Sequence, residues 1–164
     1  MLERLRRSVP HGFRVTPTGG SVSAARQRVI SVVSGWQLGL SQDRLDDLRL
    51  LTSEVVTNAL KHTGGACAVC VRWTGTRVRV EVTDHDPALP QPANGRLDEE
   101  SGKGLTLVAM LAVAWGAKSN VAGKTVWFEI EADQPVVAGD RQPAGGAHPA
   151  SSRTHFRPLL RGAA

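Results

Sequence analysis

The sequence lacks the features that would mark a membrane-spanning or exported protein. None of its apolar runs approaches the ~20 residues that a membrane-spanning helix needs. Its first ten residues carry several charges and have no apolar middle of the kind found in a signal peptide. We therefore expect a cytoplasmic protein with no membrane partner, whose 164 residues suit one domain with flanking tails.

Cysteine is also scarce, and its placement excludes two kinds of site. Cys67 and Cys70 have the Cys-x-x-Cys spacing, but a structural zinc site would need a second pair of ligands, which the sequence does not contain. A redox pair favours a helix N-terminus, whereas residues 66–73 have the composition of a strand. We interpret the two residues as ordinary buried thiols.

Basic charge is scarce where a nucleic-acid-binding protein would need it. Of the formal net charge of +5, residues 1–20 and residues 134–164 each contribute +3, and residues 21–133 contribute −1. A nucleic-acid-binding domain usually carries its basic patch on the folded surface. This distribution argues against DNA as a partner.

The apolar periodicity predicts alternating helices and strands. Valines, alanines and leucines recur at helical spacing between residues 21 and 38, with Ser21 as N-cap, and between Ser41 and His62. The remaining predicted elements are strands at residues 66–73, 77–82 and 124–130, a surface loop at 86–101 and an apolar helix at 104–115.

This order predicts an α+β two-layer sandwich with a mostly antiparallel sheet and the helices on one face. Residues 21–133 would form the domain. Residues 1–20 would be a polar segment with a short strand near residues 13–15. The Ala/Gly/Pro/Arg-rich residues 134–164 would be a disordered tail.

The second helix carries the most informative candidate site. Glu54, Asn58 and His62 follow one another at intervals of four residues, so they share a stripe at the edge of the buried face. An amide oxygen suits Mg²⁺, and a carboxylate one turn earlier can accept a proton from an attacking hydroxyl or water. The alternative is an ordinary solvated helix edge.

Two further segments fit a nucleotide site. Asp84 ends an alternating strand, where a carboxylate could accept a hydrogen bond from the amine of adenine, although it could equally cap a turn. Gly102, Lys103 and Gly104 precede the apolar helix, where glycines and free N–H groups could approach phosphates. A lone Gly-x-Gly is equally typical of a flexible loop.

Together these segments resemble the GHKL ATPase superfamily of gyrase, heat-shock chaperone, histidine kinase and mismatch-repair ATPases, which has the Bergerat, or histidine-kinase-like ATPase, fold. The likeness covers residues 20–132 and is greatest to small anti-sigma-factor serine kinases and related single-domain regulators of actinomycetes. It implies ATP and Mg²⁺ as cofactors. It also implies an anti-sigma-factor antagonist and a sigma factor as partners, and a homodimer as one expected state.

The resemblance also implies roles for individual residues. Residues 54–62 look like the N-box, with Glu54 as general base, Asn58 as magnesium ligand and His62 beside the nucleotide. Asp84 looks like the adenine-binding acid that begins the first glycine box. Residues 101–105 look like the second glycine box, so that the nucleotide would meet Gly102, Lys103, Gly104 and Leu105. In the closing strand, Thr125 would reach adenine through a water molecule.

Both glycine boxes depart from the family pattern and leave the function open. Asp86 and Ala88 stand where the first glycine box usually has glycines, and Glu100 stands where some kinases of the family have arginine. One hypothesis is a protein serine kinase that phosphorylates an antagonist and sequesters a sigma factor. The other is a non-catalytic module that grips a regulatory partner. The ATPase half of a histidine kinase is disfavoured, because no dimerisation helix with a phosphoacceptor histidine precedes the domain.

Overall fold

The computed structural model describes residues 9–90 and 100–133, with the backbone alone for residues 100–103. The predicted disordered tail, residues 134–164, lies outside the described residues, as do residues 1–8. The elements are β1 (His11–Val15), α1 (Ser21–Gly35), α2 (Gln42–Thr63), β2 (Cys67–Trp73), β3 (Arg77–Asp84), α3 (Glu100–Leu111), β4 (Ala114–Asn120) and β5 (Gly123–Glu131).

In the described part of the chain, the strands form one sheet in the order β1-β2-β3-β5-β4, and every neighbouring pair is antiparallel. The predicted α+β architecture is therefore confirmed. The short N-terminal strand was also expected. Helix α2 packs against α1, α3, β3 and β5, which places it at the centre of the domain.

One face of the sheet and the apolar stripes of the helices form the core. Strand β3 alternates as its sequence predicts, with Val78, Val80 and Val82 buried and the residues between them partly exposed. Val126, Phe128 and Ile130 on β5 continue this face. Helix α2 covers it with Leu48, Leu51, Val55, Val56 and Ala59.

The ends of the helices only partly follow the predictions. The Ser41 hydroxyl caps α2 by accepting a hydrogen bond from the Arg44 amide at 3.4 Å, as expected. The prediction that Ser21 caps α1 is wrong. Ser21 is the first helical residue, and Gly20 at φ +82° provides the cap without a side-chain hydrogen bond. Helix α1 also ends earlier than predicted, at Gly35.

The prediction of a helix over residues 104–115 is wrong at both ends. Helix α3 begins at Glu100 and ends at Leu111, and Trp115 belongs to β4, where it pairs with Phe128. A continuous apolar run has no periodicity that separates a buried helix from a buried strand. Pairing with β5 makes residues 114–120 a strand and so ends the helix before Trp115.

The two cysteines point to opposite faces of the sheet, because they lie three residues apart on one strand. Cys67 is buried in the core, as interpreted from the sequence, but Cys70 is only partly buried. Burial, with a smaller contribution from the charge of Asp84, raises the pKa of the Cys67 thiol to about 11. Burial also raises the pKa of Cys70. Neither thiol has the lowered pKa of a redox pair.

The second face of the sheet carries the polar side chains. Glu129 accepts hydrogen bonds from Arg77 and Arg79 at 3.0 Å each, and the Arg79 guanidinium lies 3.7 Å from the centre of the Trp127 ring. These contacts belong to the face that the helices leave open.

Among the described helices, none has both the length and the apolar character needed to cross a bilayer.

Candidate functional site

The predicted stripe on α2 lies directly against α3 at one residue, Gly104. A Cβ atom at position 104 would lie 2.6 Å from Glu54 Oε2 and 3.4 Å from Asn58 Nδ2. The first distance is shorter than real contacts allow, so only glycine fits while Glu54 keeps this position. The structure therefore brings together one residue of the predicted second glycine box and two of the predicted N-box.

Asp84, the predicted adenine acceptor, is held in a defined orientation at the end of β3. It is only 2% exposed. Its Oδ1 atom accepts a hydrogen bond from the Asp86 amide at 2.9 Å and lies 3.1 Å from Lys124 Nζ. A buried carboxylate needs such donors, and they fix its rotamer.

Lys124 is the residue of this site that the sequence analysis missed. It stands directly opposite Asp84 in the pairing of β3 with β5, and its side chain is 5% exposed. Its ammonium group also lies 2.8 Å from Asp86 Oδ2. The alternation that buries Val126 and Phe128 extends back to position 124, so a charged residue there required an acidic partner.

Asp86, at the position of a missing glycine, is part of the same cluster. The hydrogen bond from Lys124 lowers the pKa of the Asp86 carboxyl group, with smaller contributions from the Ala88 amide and the charge of His62. His62 is exposed at the end of the α2 stripe, one residue before the helix ends.

Thr125 does not lie where its predicted role requires. Its hydroxyl group is 2.8 Å from the Thr83 hydroxyl and accepts a hydrogen bond from Asn120 Nδ2 at 2.8 Å. Because side chains alternate along a strand, these contacts place Thr125 on the open face, opposite to Asp84. Lys124, and not Thr125, is the β5 residue that lies on the same face as Asp84.

The second glycine box is placed differently from the prediction. Gly102 and Lys103 belong to the first turn of α3, which begins at Glu100, and do not precede the helix. Leu105 is buried in the core, so its side chain is used for packing. Any contact of Leu105 with a nucleotide would therefore involve its backbone.

Within residues 9–90 and 100–133, no group of three or more histidine, cysteine, aspartate or glutamate side chains is placed to hold a metal ion. The predicted magnesium ligand is instead a single amide, Asn58. Mg²⁺ in nucleotide sites commonly takes one or two protein ligands and completes its shell with water and phosphate oxygens. Asn58, beside the small Gly104, fits that kind of site.

The comparison with protein families decides the class of the domain. A model of the histidine kinase-like ATPase domain matches residues 15–130, which include every predicted site residue. The chain belongs to the histidine kinase-like ATPase domain family. The chain is also 33% identical over 100 residues to an uncharacterized protein of Streptomyces coelicolor, an alignment that covers 58% of this chain and 94% of the relative.

Membership of the histidine kinase-like ATPase family implies ATP binding. The structure supplies features that fit such a ligand. Asp84 is a buried carboxylate whose orientation is fixed, the missing side chain of Gly104 accommodates Glu54 and Asn58, and His62 extends the same stripe. These features lie along one side of α2.

The close approach of Gly104 makes a prediction for this ATPase domain. In Gly104→Ala, the new methyl group would displace the flexible Glu54 carboxylate rather than any backbone, so we expect the melting temperature to change by only about 4 °C or less. Any activity that needs Glu54 should fall by about tenfold or more. Thermal unfolding and ATP turnover would be measured together, with Gly35→Ala on α1 as control, because nothing lies near a Cβ there. Wild-type turnover in Gly104→Ala would contradict the expectation.

Proposed function

We propose that this domain binds Mg-ATP and transfers the γ-phosphate to a serine or threonine of an anti-sigma-factor antagonist, and that it also sequesters a sigma factor. Support comes from family membership, from the sequence resemblance and from the geometry of α2. The observation that carries the proposal is the placement of Glu54 and Asn58 side by side against Gly104. A base and a magnesium ligand are thereby paired beside a position where any larger side chain would displace Glu54.

In this proposal each residue has one chemical task. Glu54 accepts the proton of the attacking hydroxyl group as its oxygen bonds to the γ-phosphorus and the bond to ADP breaks. Asn58 would hold Mg²⁺, which when bound neutralises charge on the phosphates. Asp84 accepts a hydrogen bond from the amine of adenine, and the backbone of residues 102–105 lies beside the phosphates.

A second candidate function is a non-catalytic module that binds a regulatory partner. It is favoured by the turn after β3, where Asp86 replaces a glycine and is tied to Lys124 at 2.8 Å. An ion pair in this position makes the turn less able to adapt around a nucleotide than glycines would. This function predicts that partner binding is unchanged in Glu54→Ala.

Calorimetric titration with ATP tests the nucleotide site on which the proposal depends. We expect binding that requires Mg²⁺, is lost on addition of EDTA, and weakens by about tenfold or more in Asn58→Ala and in Asp84→Asn. The Asp84 variant loses a charged acceptor, for which a tenfold effect is typical.

The control for these variants is Asp46→Asn, which changes an exposed carboxylate of α2 whose partners are Gln42 and Arg49 on the same helix. This variant should bind ATP as the wild type does. Absence of heat from a folded wild-type protein at high ATP concentration would contradict the kinase proposal and favour the partner-binding module.

A further inference from the structure

The contacts of Lys124 point to a function that neither the family match nor the sequence resemblance assigns to it. Its ammonium group lies on the same side of the sheet as Asp84, directly opposite that residue in the strand pairing. Lysine is rarely buried unless its charge is neutralised, and here Asp84 and Asp86 both neutralise it. The pair therefore places a cationic donor beside the proposed acceptor for adenine.

The donors of the ammonium group are not all engaged equally. Lysine has three N–H donors. Two make short contacts, at 3.1 Å with Asp84 Oδ1 and at 2.8 Å with Asp86 Oδ2. The contact with the Asp86 carbonyl oxygen is long, at 3.4 Å, and is a weak hydrogen bond. One donor can therefore turn to a ligand without breaking either ion pair.

The contacts of Asp84 with Lys124 and with the Asp86 amide converge on one of its two carboxylate oxygens, Oδ1. An exocyclic amine would then be accepted at Oδ2. A base bound in this way would have its neighbouring ring atom beside the lysine.

We propose that Lys124 is a specificity-determining residue that donates a hydrogen bond to the ring nitrogen next to the amine accepted by Asp84. This inference rests on the proposed ATP binding. In adenine the amine is flanked by two acceptors, N1 and N7, so either edge of the base presents the acceptor and donor pair that Lys124 and Asp84 complement. The lysine and the aspartate together select a base with an amine beside a ring nitrogen.

The test measures binding of ATP, 1-deaza-ATP and 7-deaza-ATP to the full chain by calorimetry. Each analogue replaces one ring nitrogen by C–H and keeps the amine. The wild type should bind one of the two analogues at least about tenfold more weakly than ATP, because a hydrogen bond to a charged donor is lost. In Lys124→Met the preference for ATP over that analogue should shrink to about threefold or less, since no donor to the ring nitrogen remains.

Two further variants control for structural effects. Lys118→Met removes an exposed lysine from the other face of the same hairpin, beside Thr125, and should keep the wild-type preference. Lys124→Met leaves the carboxylates of Asp84 and Asp86 without their cation. If it does not fold for that reason, the double variant Asp86→Asn/Lys124→Met removes one of these two charges and takes its place in the test. The wild-type comparison of analogues needs no variant at all.

The outcomes separate this inference from the proposed function. If ATP itself does not bind, both fail. If ATP binds and the wild type binds both analogues as tightly as ATP, only the role of Lys124 is overturned. An equal preference in the wild type and in Lys124→Met would overturn it too, since the ring nitrogen would then be recognised by another group.

Discussion

Glu54→Gln is expected to reduce phosphate transfer by about 10²- to 10⁴-fold, the range for loss of a general base, while ATP binding stays within about threefold of the wild type. Glutamine has the size of glutamate, so it can occupy the same space beside Gly104. It cannot accept the proton of an attacking hydroxyl group. The change therefore removes the proposed chemistry and keeps the shape of the site.

The measurement combines calorimetry with transfer of labelled γ-phosphate to candidate antagonist proteins and, separately, to water. Water serves as a second acceptor because a general base can activate it in the same way. Glu131→Gln, at the exposed end of β5, is the matched control and should transfer phosphate at the wild-type rate.

Two results would count against the base role of Glu54. Undiminished transfer in Glu54→Gln would show that another group accepts the proton. Tight ATP binding by the wild type with no transfer to protein or water would favour the partner-binding module, in which Glu54→Gln should leave the capture of a partner unchanged.

The fold could be predicted because most elements carry their own periodicity. The alternation along β3 and the apolar stripe of α2 each specify one buried face, and those faces can only be buried against each other. Segment 104–115 lacks such a pattern. Its apolar side chains would suit either a buried helix or an edge strand, and pairing with β5 divides them between α3 and β4.

The site could be predicted only where its residues lie close together in sequence. Glu54, Asn58 and His62 share a helical stripe whose spacing is visible in the chain. Lys124 lies 38 residues from Asp86, and the two meet because β3 and β5 pair in one register. A shift of that register by one residue would have placed Thr125 beside Asp84 instead, so the sequence resemblance alone could not distinguish the two.

The same register makes Gly123 the position where a single methyl group should do most damage. Gly123 has φ +140°, and a Cβ atom there would overlap the Asp84 carbonyl oxygen and lie within 2.7 Å of backbone atoms of His85. These atoms belong to the backbone and cannot rotate away. In Gly123→Ala the β4–β5 hairpin must therefore move back from the end of β3.

We expect Gly123→Ala to cost about 2–5 kcal/mol of unfolding free energy, of which about 1–3 comes from the backbone conformation and the remainder from overlap. The melting temperature should fall by about 10 °C or more. Urea unfolding would give the free energy. Nucleotide binding should weaken as well, because the overlap lies at Asp84 itself and displaces the hairpin that carries Lys124.

Gly75→Ala separates the two contributions. Gly75 lies in the turn between β2 and β3 with φ +106°, and nothing lies within 4 Å of a Cβ atom there. This variant should therefore lose only the conformational part of the stability, about 1–3 kcal/mol, and bind ATP normally. Equal losses in the two variants would show that overlap with residues 84 and 85 costs little. The hairpin that carries Lys124 would then move at little cost in free energy. Asp84 and Lys124 would not form the rigid donor–acceptor pair on which the inferred recognition of the base depends.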